Sequence, residues 1–137
     1  MKQYVAMMAA AALSASALAG DWVLVTGAKS PLGKLSEDQA SNVYLGKIPE
    51  LPGVGAVTLY DLSDGNNLRD DFYKGLTNKS AAQMKAYWSK MVFTGKGTPP
   101  KELPASSDVK KAVSGSPNAL GYIEKSAVDS SVKVVYP

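Results

Sequence analysis

The sequence predicts an α/β domain in which helices flank a parallel or mixed sheet. Three observations carry that expectation. Trp22-Val23-Leu24-Val25-Thr26 is a continuous apolar, β-branched run ended by Gly27, the pattern of a strand buried on both faces. Two capping boxes, Ser36 with Gln39 and Ser80 with Gln83, open helices. Between them, Leu68, Phe72 and Leu76 recur at helical spacing and place one apolar stripe toward the sheet.

Taken in order, the first strand is broken by a loop over 28–34 that contains Pro31 and Gly33. A helix then starts behind the Ser36 cap, with Leu35 and Ala40 placed as a hydrophobic staple, runs to about Leu45 and stops at Gly46. Pro49, Pro52, Gly53 and Gly55 make 48–55 an irregular connection. Val57-Thr58-Leu59-Tyr60 reads as the next strand. The stretch from Leu59 to Gly97 organises the chain: this strand feeds a polar turn over Ser63–Asn67, which opens the Leu68/Phe72/Leu76 helix, with fraying expected at Gly75. A sharper helix follows the Ser80 cap, carrying Met84, Tyr87, Trp88 and Met91 on one stripe. Tyr87 and Trp88 are expected to be core rather than a stacking platform.

Phe93 to Pro100 is a Gly/Pro loop. It is not expected to bind nucleotide, because Lys96 is followed by Gly97 rather than by Ser or Thr, with Pro99-Pro100 coming after. Ser106 or Ser107 caps a short helix with Val109, Ala112 and Val113 inward, stopped at Gly115. A turn at Ser116-Pro117-Asn118 leads into the strand 119–123, and Val132 to Val135 forms the last strand.

The first 19 residues predict a secretory signal peptide: Lys2 is the positive end, an Ala/Met-rich apolar run follows, and Ala17-Leu18-Ala19 is a small-x-small cleavage site. The run is too short and too rich in Ala to span a bilayer, so no membrane insertion is expected after cleavage, and no Cys follows it to take a lipid. Residues 20–137 are then one domain, able to build a core without disulfides. The 15 basic residues, Lys2 among them, nearly balance the 12 acidic ones, which gives no reason to expect a nucleic-acid partner. The chain has no His and no Cys, so the commonest general base, metal ligand and thiol nucleophile are missing; neither an enzyme nor a cofactor is expected. Asp61, Asp64, Asn66 and Asp70 are hard oxygen ligands near Gly65. They fail the EF-hand spacing, since Tyr60 and Leu62 fall where ligands are required, and read instead as turn and cap chemistry.

Four blocks together resemble the second half of the phosphate-type periplasmic substrate-binding proteins of ABC transporters. They are Leu35-Ser36-Glu37-Asp38-Gln39 through Tyr44-Leu45-Gly46-Lys47, Arg69-Asp70-Asp71-Phe72, Trp88 through Phe93-Thr94-Gly95-Lys96-Gly97, and Asn118-Ala119-Leu120-Gly121-Tyr122-Ile123. The resemblance implies a single three-layer lobe of the type II periplasmic-binding-protein fold, a mixed sheet flanked by helices. It also implies a periplasmic location and non-covalent capture of phosphate or another small oxyanion. Where that family carries a Ser-Gly-Thr triplet, this chain has Asn66, Asn67 and Leu68, and Leu62 stands where an Arg is frequent. The site it implies comprises Ser63, Gly65, Asn66, Asn67 and Arg69, with Ser30 from the first loop; Arg69 either faces the ligand or pairs with a nearby Asp. Transporter membrane subunits or a second copy of the chain are the partners it suggests. The rival expectation is a lobe that kept the fold, lost the ligand and acts as an interaction protein.

Overall fold

Residues 21–137 are described in the computed structural model; the predicted signal peptide lies outside them. Five strands form the main sheet: β1 (Trp22–Gly27), β4 (Thr58–Leu62), β5 (Lys101–Leu103), β6 (Ala119–Glu124) and β7 (Val132–Tyr136). Their spatial order is β5-β4-β6-β1-β7. β4 runs parallel to both β5 and β6, whereas β1 is antiparallel to β6 and β7, so the sheet is mixed as expected. The stretch 48–55, expected to be irregular, instead holds the minimal antiparallel pair β2 (Glu50–Leu51) and β3 (Gly55–Ala56), turned through Gly53 at φ 91°.

Helices cover both faces, which makes the three layers. Along β6 the faces alternate. Gly121 looks toward the helix α4 (Ser106–Ser114), while the Tyr122 ring stacks on Phe72 of the helix α2 (Asn67–Thr77), centroids 3.8 Å apart and ring planes nearly parallel. The helix α1 (Glu37–Tyr44) joins α2 on that second face, its Tyr44 ring edge-on to Phe72 at 4.9 Å. The helix α3 (Ala81–Phe93) lies outside them, tied to α1 by the Tyr87 hydroxyl, which donates to the Leu45 carbonyl at 2.5 Å.

Both capping boxes form as the sequence indicated, with the Ser36 and Ser80 hydroxyls accepting from the Gln39 and Gln83 amides. Trp88 is buried and Tyr87 half-buried, the core role expected of that stripe. Four local expectations need correction. Gly75 does not fray α2, which continues to Thr77. A Cβ there would sit 3.3 Å from the Trp22 indole nitrogen, so the glycine permits helix and strand to approach. Neither Ser106 nor Ser107 caps α4: Ala105 holds the cap position, without a side-chain bond. Phe93 closes α3 rather than opening the loop. Finally, β5 lies in a stretch between Pro100 and Pro104 that carries no strand pattern of its own; it is organised by pairing with β4, Asp61 opposite Glu102.

Gly121 gives a test of the α4 face. A Cβ at this position would lie 2.5 Å from Cγ1 of Val109 and 3.3 Å from Cγ1 of Val113, inside a closed layer. Gly121→Ala is expected to cost about 1–3 kcal/mol by overpacking, read as a lower urea midpoint with an unchanged slope.

Candidate functional site

Strands β5, β4 and β6 all run in one direction, and the chain leaves the carboxyl end of β4 directly into the start of α2. A crevice at the carboxyl ends of parallel strands is where α/β sheets place ligands, because helix N-termini gather there with unpaired amides. Here the starts of α2 and α4 converge on a hollow of about 400 Å³, lined by Leu62, Asn66, Leu68, Ala105, Ser106 and Glu124 among others. Asn66 is the cap of α2; its side-chain oxygen accepts from the Leu68 amide at 2.8 Å. The Ser106 hydroxyl accepts from the Glu124 amide at 3.2 Å, which leaves its own proton free to be donated.

The turn is open to solvent, with Asp64, Gly65 and Asn67 exposed. It is braced by β5, since the Ser63 amide donates to the Leu103 carbonyl at 3.1 Å, and it closes when the Asn66 amide donates to the Ser63 carbonyl at 3.1 Å. Gly65 adopts φ 90°, a conformation that disfavours any side chain there. Among the described residues, the Gly65 and Asn67 amides find no acceptor, so both remain available at the mouth of α2.

Behind the turn lies a buried polar cluster that sequence reasoning missed. Asp61 is 2% exposed. Its carboxylate accepts from the Tyr73 hydroxyl at 2.5 Å, from the Tyr122 hydroxyl, and from the Leu62 amide at 2.8 Å. Burial raises the Asp61 pKa above its ordinary value, outweighing the hydrogen bonds from Tyr122 and Tyr73 and the nearby Arg69 charge, which pull it down. The same burial, reinforced by Asp61, raises Tyr73, Tyr122 and Tyr44, so these phenols stay protonated donors. The Tyr122 hydroxyl also receives the Leu62 amide at 3.1 Å. The signal available in the sequence was Asp61 itself, a carboxylate at the end of an otherwise apolar strand, with Tyr73 one helical turn beyond Arg69.

Arg69 does not reach the turn. Its Nη1 donates back to the Leu62 carbonyl at 2.8 Å and to Glu102 at 3.0 Å, and its guanidinium lies over the Tyr73 ring at 5.7 Å. Burial alone would lower its pKa; Asp61 and Glu102 carry it above the ordinary value instead. The expected alternative, a pairing with an Asp, is corrected in its partner: the carboxylate bonded to Arg69 is Glu102, brought in by β5. Together Arg69, Asp61 and Tyr122 hold both sides of the Leu62 peptide, and so fix the strand end from which the turn departs.

Ser30 is also placed elsewhere. It follows the carboxyl end of β1, which runs opposite to β6, and therefore sits at the far end of the sheet from the turn. Its hydroxyl donates to the Pro117 carbonyl at 2.5 Å and accepts from the Leu32 amide, serving as a loop brace. Of the expected site residues, Ser63, Gly65, Asn66 and Asn67 are therefore together, Arg69 lies behind them, and Ser30 is remote.

No family model matches the chain, and no curated protein matches it. Solved structures do. The chain is similar to a phosphate ABC transporter substrate-binding protein with bound phosphate from Clostridium perfringens. The two share 25% identity at a TM-score of 0.67, over 84% of this chain and 44% of that one. It is also similar to an ABC-type phosphate transport receptor from Vibrio cholerae, at 19% identity, TM-score 0.65, and 84% and 45% coverage. A third likeness is to PstS from Borrelia burgdorferi, at 13% identity, TM-score 0.63, and 85% and 46% coverage. The latter two likenesses speak for the fold alone. The chain spans less than half the length of each of these proteins.

Proposed function

We propose that this α/β lobe is a non-catalytic solute-binding module of the periplasm that takes phosphate or another small oxyanion at the hollow between the starts of α2 and α4. The observation that carries this reading is the convergence of two helix N-termini at the carboxyl ends of β4, β5 and β6, in a fold shared at 25% identity with a structure described as holding phosphate. Capture would use dipoles and neutral donors: the Asn66 side-chain amide and the Ser106 hydroxyl, which line the hollow, and the Gly65 and Asn67 amides on the turn beside it, whereas the Ser63 hydroxyl is already given to the Leu103 carbonyl at 3.4 Å. Among the described residues no Lys or Arg lines the hollow and Glu124 does, so anion affinity of this lobe alone is weak. A second wall, from another copy of the chain or from transporter membrane subunits, would exclude water and strengthen each of these bonds.

Thermal unfolding with and without millimolar phosphate or sulfate tests the reading. An anion present at 100 times its dissociation constant stabilises by roughly 2.7 kcal/mol, a shift of several degrees. Asn66→Asp keeps a competent helix cap while placing a carboxylate in the hollow; it is expected to abolish the anion shift and leave the unliganded melting temperature almost unchanged. No shift with any oxyanion overturns this reading. The competing reading, an interaction protein without a ligand, is favoured by one observation: Arg69, the cation next to the turn, is already committed to Glu102 and the Leu62 carbonyl.

A further inference from the structure

The two edges of the sheet are treated differently. At β7 the protein's own chain covers the edge: the Leu35 amide donates to the Val135 carbonyl at 2.8 Å, and the Lys34 ammonium to the Pro137 carbonyl at 3.0 Å. At β5 no such cover exists among the described residues. The Ser63 amide fixes the Leu103 carbonyl inward, and strand alternation then turns the N–H and C=O of Glu102 outward. Pro100 and Pro104 bound this open edge to three residues, too short to template aggregation yet long enough to seat one extended segment.

A cleft of about 520 Å³ runs beside that edge, between β5 and α3. Its apolar wall is Met84, Trp88, Val92, Phe93, Pro99 and Pro100. Phe93 is 91% exposed and Val92 53%, an unusual outlay of apolar surface at a helix end. The opposite side is acidic, with Asp64 and Glu102 facing the cleft and both substantially solvated. Arg69 donates to the Leu62 carbonyl and pairs with one oxygen of Glu102 at 3.0 Å, so Asp64 and the second Glu102 oxygen are what this side offers a basic group. Lys85 stands 4.0 Å from Asp64 and is too exposed to neutralise it.

We propose that this cleft docks an extended partner segment carrying an aromatic side chain flanked by Lys or Arg, which adds as a sixth strand along β5. Main-chain bonds to Glu102 supply its alignment. The aromatic group packs on Trp88, Val92 and Phe93, and the basic groups answer Asp64 and Glu102. Side chains two apart on a strand share a face, so a basic-x-aromatic-x-basic segment presents all three to the cleft at once.

The probe is the acetylated and amidated peptide Lys-Thr-Phe-Thr-Lys, titrated into the isotopically labelled protein at low salt, with Glu-Thr-Phe-Thr-Glu as the charge-reversed control. Saturable amide shifts at residues 101–103, at Val92, Phe93 and Asp64, and at the Trp88 indole are expected with the basic peptide, and at least about tenfold weaker binding with the acidic one. The double variant Val92→Ser, Phe93→Ser removes the apolar surface at two exposed positions without adding charge and should fold normally; it is expected to lose the shifts. Absence of shifts at millimolar peptide, equal binding of both peptides, or undiminished binding by the double variant each overturns the proposal. So does a concentration-dependent dimer of the wild type that the double variant abolishes, because the occupant would then be a second copy of the chain.

Discussion

Asp61→Ala is expected to destabilise the protein by about 3–5 kcal/mol, because the change strands several buried groups at once. Two tyrosine hydroxyls lose their acceptor, the Leu62 amide keeps only the Tyr122 hydroxyl, and Arg69 loses a neighbouring negative charge. Asp61→Asn keeps an oxygen for Leu62 and Tyr122 and should cost clearly less. The pH dependence distinguishes a buried carboxylate from a generic packing position. The folded-state pKa of Asp61 is raised, so the folded chain binds more protons than the unfolded chain between the ordinary value of 3.8 and the raised one. The stability linked to Asp61 is thus fully present below the unfolded pKa and lost as pH rises through the folded pKa. Asp129 acts in the opposite sense: its pKa is held down by the Ser131 hydroxyl and by Lys110, at the surface. Urea unfolding of the wild type and Asp61→Asn across the acid range checks this. The stability advantage of the wild type over Asp61→Asn should grow as pH falls through the folded pKa of Asp61, and a constant difference would refute the assignment.

Phe72→Ala carries the other large effect, about 3–5 kcal/mol, a major fraction of the roughly 5–15 kcal/mol that holds such a domain together. Phe72 is fully buried and its ring meets four others: stacked on Tyr122, and edge-on to Trp22, Tyr44 and Tyr73, each at 4.9 Å. The residue is the contact through which α1, α2, β1 and β6 share one core, so its loss leaves a cavity no single neighbour can fill. Circular dichroism during urea titration should show the loss directly. Phe72→Leu, which retains most of the volume, should recover the larger part of it. Since α2 opens at the candidate site, a folded Phe72→Ala protein should also respond to anions more weakly than the wild type.

The layers of this protein were legible because their signals are local. A β-branched run at 22–26, two Ser/Gln capping boxes and the Leu68/Phe72/Leu76 stripe each state their own conformation within a few residues. The turn at 63–67 was legible for the same reason: Gly65 and Asn66 fix a strand-to-helix handover through backbone geometry and a cap. What the sequence could not assign was direction and partnership. Ser30 was grouped with the turn although β1 runs opposite to β4 and β6, a relation that only strand pairing defines. β5 has no pattern of its own and exists as a strand because β4 offers it hydrogen bonds; by arriving there it delivers Glu102 to Arg69 and removes that cation from the site. The Asp61 cluster likewise joins residues 12 and 61 positions apart. Local conformation is set by neighbours along the chain, whereas burial, charge pairing and the open edge at β5 depend on which distant segments the sheet brings into contact, and those decided how the candidate site is built.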